Sequence, residues 1–164
     1  MAKQLIIKPE KCVGCRTCEL VCSYGHFEQF NPRMSAVSLI DYEVEAVSIP
    51  LMCMQCDDAC CADVCPVGAL KVEADGFVSY DADKCIKCKM CMNACPLGNI
   101  HYTPIARRMI KCDLCGDGNP KCVSYCHAGA IELVDDADLP DRRKSIADSL
   151  MEVYRTDKVE EVAS

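Results

Sequence analysis

The 164-residue sequence has no tryptophan and only three phenylalanines, and aromatic residues make up 5% of it. Large aromatics supply much of the buried area of an ordinary core. Without them the hydrocarbon interior is thin for this length. The apolar fraction of 51% does not repair this, because it counts 17 cysteines; without them it falls to about 41%. No apolar run approaches the 18 or so residues of a membrane-spanning helix. An excess of positive charge is missing too. Lys and Arg number 18 against 25 Asp and Glu, for a net charge of −7, which argues against nucleic acid or an anionic membrane as partner. The opening segment MAKQLIIKPEK has neither an apolar core nor a cleavage site, so it does not read as a secretory signal. A reducing, cytoplasmic setting is the expectation. No acid–base pair, activated nucleophile or phosphate loop stands out, so no catalytic residue is assigned and the sequence does not read as an enzyme.

Cysteine fills the gap these absences leave. About a tenth of the chain is cysteine, a level that marks a special scaffold. In a reducing compartment thiolates serve metals rather than disulfides. Their spacing is regular. Cys12, Cys15, Cys18 and Cys22 in CVGCRTCELVC, and Cys85, Cys88, Cys91 and Cys95 in CIKCKMCMNACP, both read C-x2-C-x2-C-x3-C. That is the bacterial [4Fe–4S] run, whose fourth cysteine serves the other cluster of a pair. Cys112, Cys115, Cys122 and Cys126 form a stretched copy, C-x2-C-x6-C-x3-C. The remaining group, CMQCDDACCADVC, has five cysteines. Only Cys61 stands in the C-x3-C relation to Cys65, so Cys53, Cys56, Cys61 and Cys65 are the expected ligands and Cys60 is spare. Sixteen ligands correspond to four [4Fe–4S] clusters. Residues i and i+4 share a helical face about 5–6 Å apart, so each C-x3-C turn fixes the spacing of two redox centres. Zinc ribbons also use C-x2-C pairs, but as isolated doublets, and the triplets followed by C-x3-C fit that pattern poorly.

Repeats organise the rest. PEKCVGCRTCELVC (9–22) parallels DADKCIKCKMCMNAC (81–95). CPVGALKV (65–72) parallels CHAGAIEL (126–133), with CPLGNIHY (95–102) a weaker copy. LKVEADGFVSY reads as a β-hairpin turning at Asp75-Gly76 and joins groups two and three, as in a two-cluster ferredoxin. Groups one and four then make a second unit, its strands near Gln4–Ile7 and Ala130–Val134 meeting at the chain ends. The expected fold is α+β: two nested two-cluster ferredoxin-like units related by a pseudo-twofold. The outer unit takes residues 1–22 and 103–134 and the inner unit 53–102. A β-hairpin insertion, 23–52, has strands expected in SAVSLI and EVEAVSI; a cover for its own domain is preferred over a partner surface. A helical tail, 135–164, carries Ile146, Leu150, Val153 and Tyr154 at helical spacing behind Pro140.

The four cysteine groups resemble the four-cluster ferredoxin-like subunits of molybdenum and tungsten oxidoreductases, such as those of dimethyl sulfoxide reductase and formate dehydrogenase. The short fourth group KCDLCGDGNPKCVSYCHAGAI looks most like the small subunits of tungsten aldehyde oxidoreductase-type enzymes, which include aldehyde oxidoreductase and class II benzoyl-CoA reductase. The resemblance spans roughly residues 4–134. It implies that Cys12, Cys15 and Cys18 share a cluster with Cys126, and Cys112, Cys115 and Cys122 one with Cys22. It likewise implies that Cys53, Cys56 and Cys61 share one with Cys95, and Cys85, Cys88 and Cys91 one with Cys65. The implied function is single-electron relay between a large catalytic tungsten or molybdenum subunit and a second electron carrier or flavin subunit. Relay in a hydrogenase or carbon monoxide dehydrogenase, or a free polyferredoxin, are the alternatives, and a zinc-stapled interaction module is a third class. Two positions depart from the pattern. Pro66 and Pro96 follow the fourth cysteines of groups two and three, whereas Ser23 and His127 follow those of groups one and four. Each restores a backbone N–H, which near a cluster sulfur raises the potential. His127 is not counted as a ligand, since its cluster already has four cysteines; His26 and His101 read as ordinary surface or packing residues.

Overall fold

The computed structural model describes residues 3–116 and 118–135. The expected tail helix, with Ile146, Leu150, Val153 and Tyr154, lies outside the described residues. The fold is α+β, made of short helices and four separate two-stranded antiparallel sheets.

The N-terminal strand β1 (Lys3–Ile7) pairs with the distant β8 (Ile131–Asp135), Leu5 opposite Leu133. Helix α1 (Thr17–Phe27) follows the first cysteine loop. The insertion folds as β2 (Ser38–Tyr42) and β3 (Val47–Leu51). Its strands are displaced from the expected ones. Glu43–Ala46 were read as strand but form the turn, where Ala46 takes a left-handed φ of 53°. After the short α2 (Cys60–Asp63), β4 (Leu70–Val72) and β5 (Val78–Tyr80) form the hairpin expected around Asp75-Gly76. Helix α3 (Met90–Ala94) leads to a hairpin absent from the sequence reading, β6 (His101–Thr103) with β7 (Arg108–Ile110). It straddles the join expected at residues 102/103. Helix α4 (Lys121–Ser124) precedes β8.

The residue after the fourth cysteine separates α1 from α2 and α3, though not from α4, which stops at Ser124 with His127 in that place. Proline removes a backbone donor and ends a helix. At Pro66 and Pro96 the helical segments stop within a turn or so. At the equivalent place Ser23 stands inside α1, which runs 11 residues. Ser23 is fully buried, donates from Oγ to the Leu20 carbonyl at 3.0 Å and accepts from the Asn31 amide at 3.1 Å.

Cysteine supplies the missing interior. One core joins Leu5, Val37, Met52 and Ile131 with Cys22, Cys53, Cys112 and Cys122. A second joins Leu70, Val78, Ile100 and Met109 with Cys61 and Cys91. The insertion hairpin is pinned to the first cysteine loop through Glu19. This buried carboxylate accepts from the Leu39 amide at 2.8 Å and from Arg16 at 3.1 Å, and Arg16 also pairs with Asp41.

Candidate metal centres

Each C-x2-C loop needs its two sulfurs to point the same way, so the backbone must curl tightly between them. The residue just before the second cysteine does this in all four groups. Gly14, Gln55, Lys87 and Leu114 all take left-handed φ, from 47° to 67°. Three are not glycine, and each such residue costs on the order of 1 kcal/mol. At Gly14 a Cβ would sit 2.8 Å from Ser48 Oγ, so a larger residue would displace the serine from its hydrogen bond to Asp41.

The loops and helices gather the cysteines into sets. Cys12, Cys15, Cys18 and Cys126 line one cavity, closed by Leu39 and Pro50 of the insertion hairpin. Cys53, Cys56, Cys61 and Cys95 line another, and Cys60 is with them. Cys22, Cys112, Cys115 and Cys122 crowd together. Burial pushes the Cys122 thiol up to about 12, and its neighbours Cys22 and Cys115 add to the rise. Cys85 and Cys88 likewise raise Cys91 beyond the effect of its burial, and Cys65 packs in the same core. Burial lifts Cys18 to about 12, with Cys15 and Cys12 contributing. Thiols so placed bind their protons until a cation replaces them, and a coordinating metal deprotonates them outright. Four soft sulfurs converging from two chain segments fit a [4Fe–4S] cluster.

Amides turn toward several of these sulfurs. Ala36, Ala69 and Ala130 donate to the fourth cysteines Cys22, Cys65 and Cys126 at 3.3, 3.2 and 3.3 Å. The residue expected to supply such a donor at Cys22 was Ser23. Its N–H instead belongs to the interior of α1, where backbone donors close helical turns, and Ala36 takes the role. Cys60 differs from the other cysteines in its cavity: its Sγ donates to the Ala94 carbonyl at 3.1 Å.

The sequence reading missed three polar residues. His26 was read as ordinary, but its Nδ1 faces the Cys22 carbonyl and its Nε2 faces Asp113 Oδ1, each at 2.9 Å. With an acceptor on both sides the ring carries both protons. Asp113 chiefly, with Cys22, pushes it up to about 11. The pair ties α1 to the fourth cysteine group. Gln55 and Lys111, both buried, join the second and fourth groups. Gln55 Nε2 donates to the Cys112 carbonyl at 2.9 Å, and its Oε1 accepts from the Val78 amide and from Lys111 Nζ. One signal was available for Gln55: it occupies the position of Gly14.

Residues 44–136 match the family model described as a 4Fe-4S dicluster domain, and residues 9–25 match a 4Fe-4S binding domain. The protein belongs to the 4Fe-4S dicluster family. Related proteins resemble it over most of its length. The aliphatic sulfonate oxidoreductase, polyferredoxin-like subunit, of Pyrococcus furiosus is 36% identical over 154 residues, covering 93% of this chain and 82% of that one. The B subunit of the anaerobic dimethyl sulfoxide reductase of Escherichia coli is 34% identical over 146 residues, covering 77% of this sequence and 70% of its own. Among solved structures, a component of the active site complex BamBC of benzoyl coenzyme A reductase superposes with a TM-score of 0.50. It is 23% identical and covers 94% of this sequence and 97% of its own, a likeness of fold. This dicluster-family protein therefore holds several [4Fe–4S] clusters. Among its described residues no helix is long and apolar enough to cross a membrane.

Proposed function

We propose that the protein is the electron-transfer subunit of an oxidoreductase complex and relays single electrons through four [4Fe–4S] clusters. The observation that carries this is the crossed composition of the cysteine sets: three sulfurs from one group and a fourth from another. Cys12, Cys15, Cys18 and Cys126 hold one cluster and Cys22, Cys112, Cys115 and Cys122 the next. Cys53, Cys56, Cys61 and Cys95 hold the third, and Cys65, Cys85, Cys88 and Cys91 the fourth. The clusters supply the redox chemistry; the protein fixes their spacing and their surroundings.

The units nest, 53–102 within 1–22 and 103–134, and meet where Cys53 and Cys112 share one core. This order puts the second and third clusters in the middle and the other two at the ends. Cys15, Cys56 and Cys88 are all exposed, but only Cys15 and Cys88 stand beside exposed apolar residues, Val13 and Ile86, which supports those two loops as the points where electrons enter and leave. The partners are a large catalytic subunit with a tungsten or molybdenum cofactor and a second carrier or flavin subunit, in a cytoplasmic setting. Support comes from relatives that are themselves oxidoreductase subunits.

Iron and sulfide analysis of the anaerobically purified protein tests the relay. About sixteen of each per chain are expected by the four-cysteine rule. About twelve would mean one vacant site, the fourth group's long x6 loop being the first suspect. Zinc in place of iron would overturn the reading.

A further inference from the structure

Lys111 is a buried lysine, 8% exposed, in a protein that is otherwise acidic. Its Nζ donates to the Val78 carbonyl at 2.6 Å, the Cys112 carbonyl at 2.9 Å and Gln55 Oε1 at 3.2 Å. It also lies over the Phe77 ring at 5.4 Å. Three acceptors use three N–H donors, which only the ammonium form has. A buried charge is costly unless paired or fully hydrogen-bonded, and among the described residues no carboxylate ion pair is formed by Lys111. Its three hydrogen-bond acceptors are all neutral. The place is specific: Val78 is in the inner hairpin, Gln55 precedes Cys56 and Cys112 opens the fourth group. Lys111 thus sits at the seam of the two units, bonded to segments of both.

We propose that Lys111 is the positioning charge of the seam, raising the potentials of the two central cluster sites so that an electron passes from one ferredoxin unit to the other. This rests on the four-cluster relay. The step is one electron lost at one central site and gained at the other, with no bond made or broken and no proton moved; Lys111 itself is neither oxidised nor reduced. Each reduction adds a negative charge, and a fixed positive charge in a medium of low dielectric stabilises it. Gln55 holds the ammonium in register by accepting from it while donating to the same Cys112 carbonyl.

Anaerobic redox titration followed by EPR tests this on the full-length protein. The iron content of the wild type is measured first, so failure of the relay reading shows there alone. In Lys111→Met the central sites are expected to need a potential about 59 mV lower for the same degree of reduction, a tenfold change for one electron. The two end sites, identified through Cys15→Ser and Cys88→Ser, should not move. Lys111→Arg should keep native midpoints. Unchanged midpoints in Lys111→Met, or an equal shift at all four sites, would overturn the proposal. If Lys111→Met loses iron, Lys111→Gln, neutral but still a donor, is titrated with the same expectation. If neither neutral variant holds iron, Lys111→Arg decides: full iron with native midpoints upholds the charge, and loss of iron there too leaves a packing role only.

Discussion

At the scale of single residues, the adjacent cysteines 60 and 61 pose the sharpest question. Both line the same cavity. Spacing favours Cys61 as ligand, and the structure adds geometry: the Cys60 Sγ is turned to the Ala94 carbonyl at 3.1 Å, a contact only a thiol can donate, whereas a metal ligand is a thiolate. Cys61 is buried, and burial chiefly, with Cys53, Cys60 and Cys95, pushes it up to about 11, so it needs a metal to ionise. Cys60→Ala is expected to leave iron content and the EPR spectrum unchanged, at a stability cost near ~1 kcal/mol for the lost hydrogen bond. Cys61→Ala should lose or convert one cluster. The reverse pattern in iron analysis would move the ligand to Cys60. Residues such as Gln55 and Lys111 were less legible. A glutamine and a lysine look like surface residues in a sequence, and only their acceptors show otherwise.

At the scale of elements, one residue permits the length of α1. Ser23 stands where Pro66 and Pro96 stand in groups two and three. The serine lets the helix run to Phe27, which brings His26 to Asp113. Ser23→Pro should end α1 near Cys22 and cost about 3 kcal/mol or more. It should also break the His26–Asp113 tie, and the site of Cys22, Cys112, Cys115 and Cys122 should release its metal first, reading as a loss of about four iron per chain. Ser23→Ala, which keeps the helix, should retain full iron and cost roughly 1 kcal/mol. Thermal unfolding and iron analysis of both variants check this. The hairpin β4–β5 was legible because β-branched residues and a turn signal coincide there, and the β1–β8 pair because the chain ends alone were left to meet. The β6–β7 hairpin was not, since TPIAR around its turn lacks the Asn-Gly or Asp-Gly signature.

At the scale of the whole molecule, the four two-stranded sheets among the described residues do not join into one. An isolated two-stranded sheet is marginal in water, and both apolar cores here are partly cysteine. The left-handed residues Gln55, Lys87 and Leu114 add backbone strain. Metal binding is thus folding free energy, as in other small metal-stapled domains. Removal of iron by acid or a chelator under reducing conditions should abolish the cooperative transition and most of the far-UV circular dichroism. An apo form that kept a sharp melting transition would show that the hydrocarbon core suffices.

The sequence alone determined the chemistry. Cysteine spacing along a polypeptide is itself a geometric statement, because i and i+3 or i+4 positions converge on one side of a loop or turn. The donor type, the triplets and the C-x3-C steps could therefore be read without coordinates. The meeting of β1 with β8 was also readable, since once the inner hairpin claims groups two and three only the chain ends remain to pair. Tertiary structure alone decided what lies between the units. The Lys111 ammonium meets carbonyls from positions 33 residues and one residue away, Val78 and Cys112, and a side chain 56 residues away, Gln55. No local pattern encodes such a meeting, because it arises from how segments distant in sequence pack.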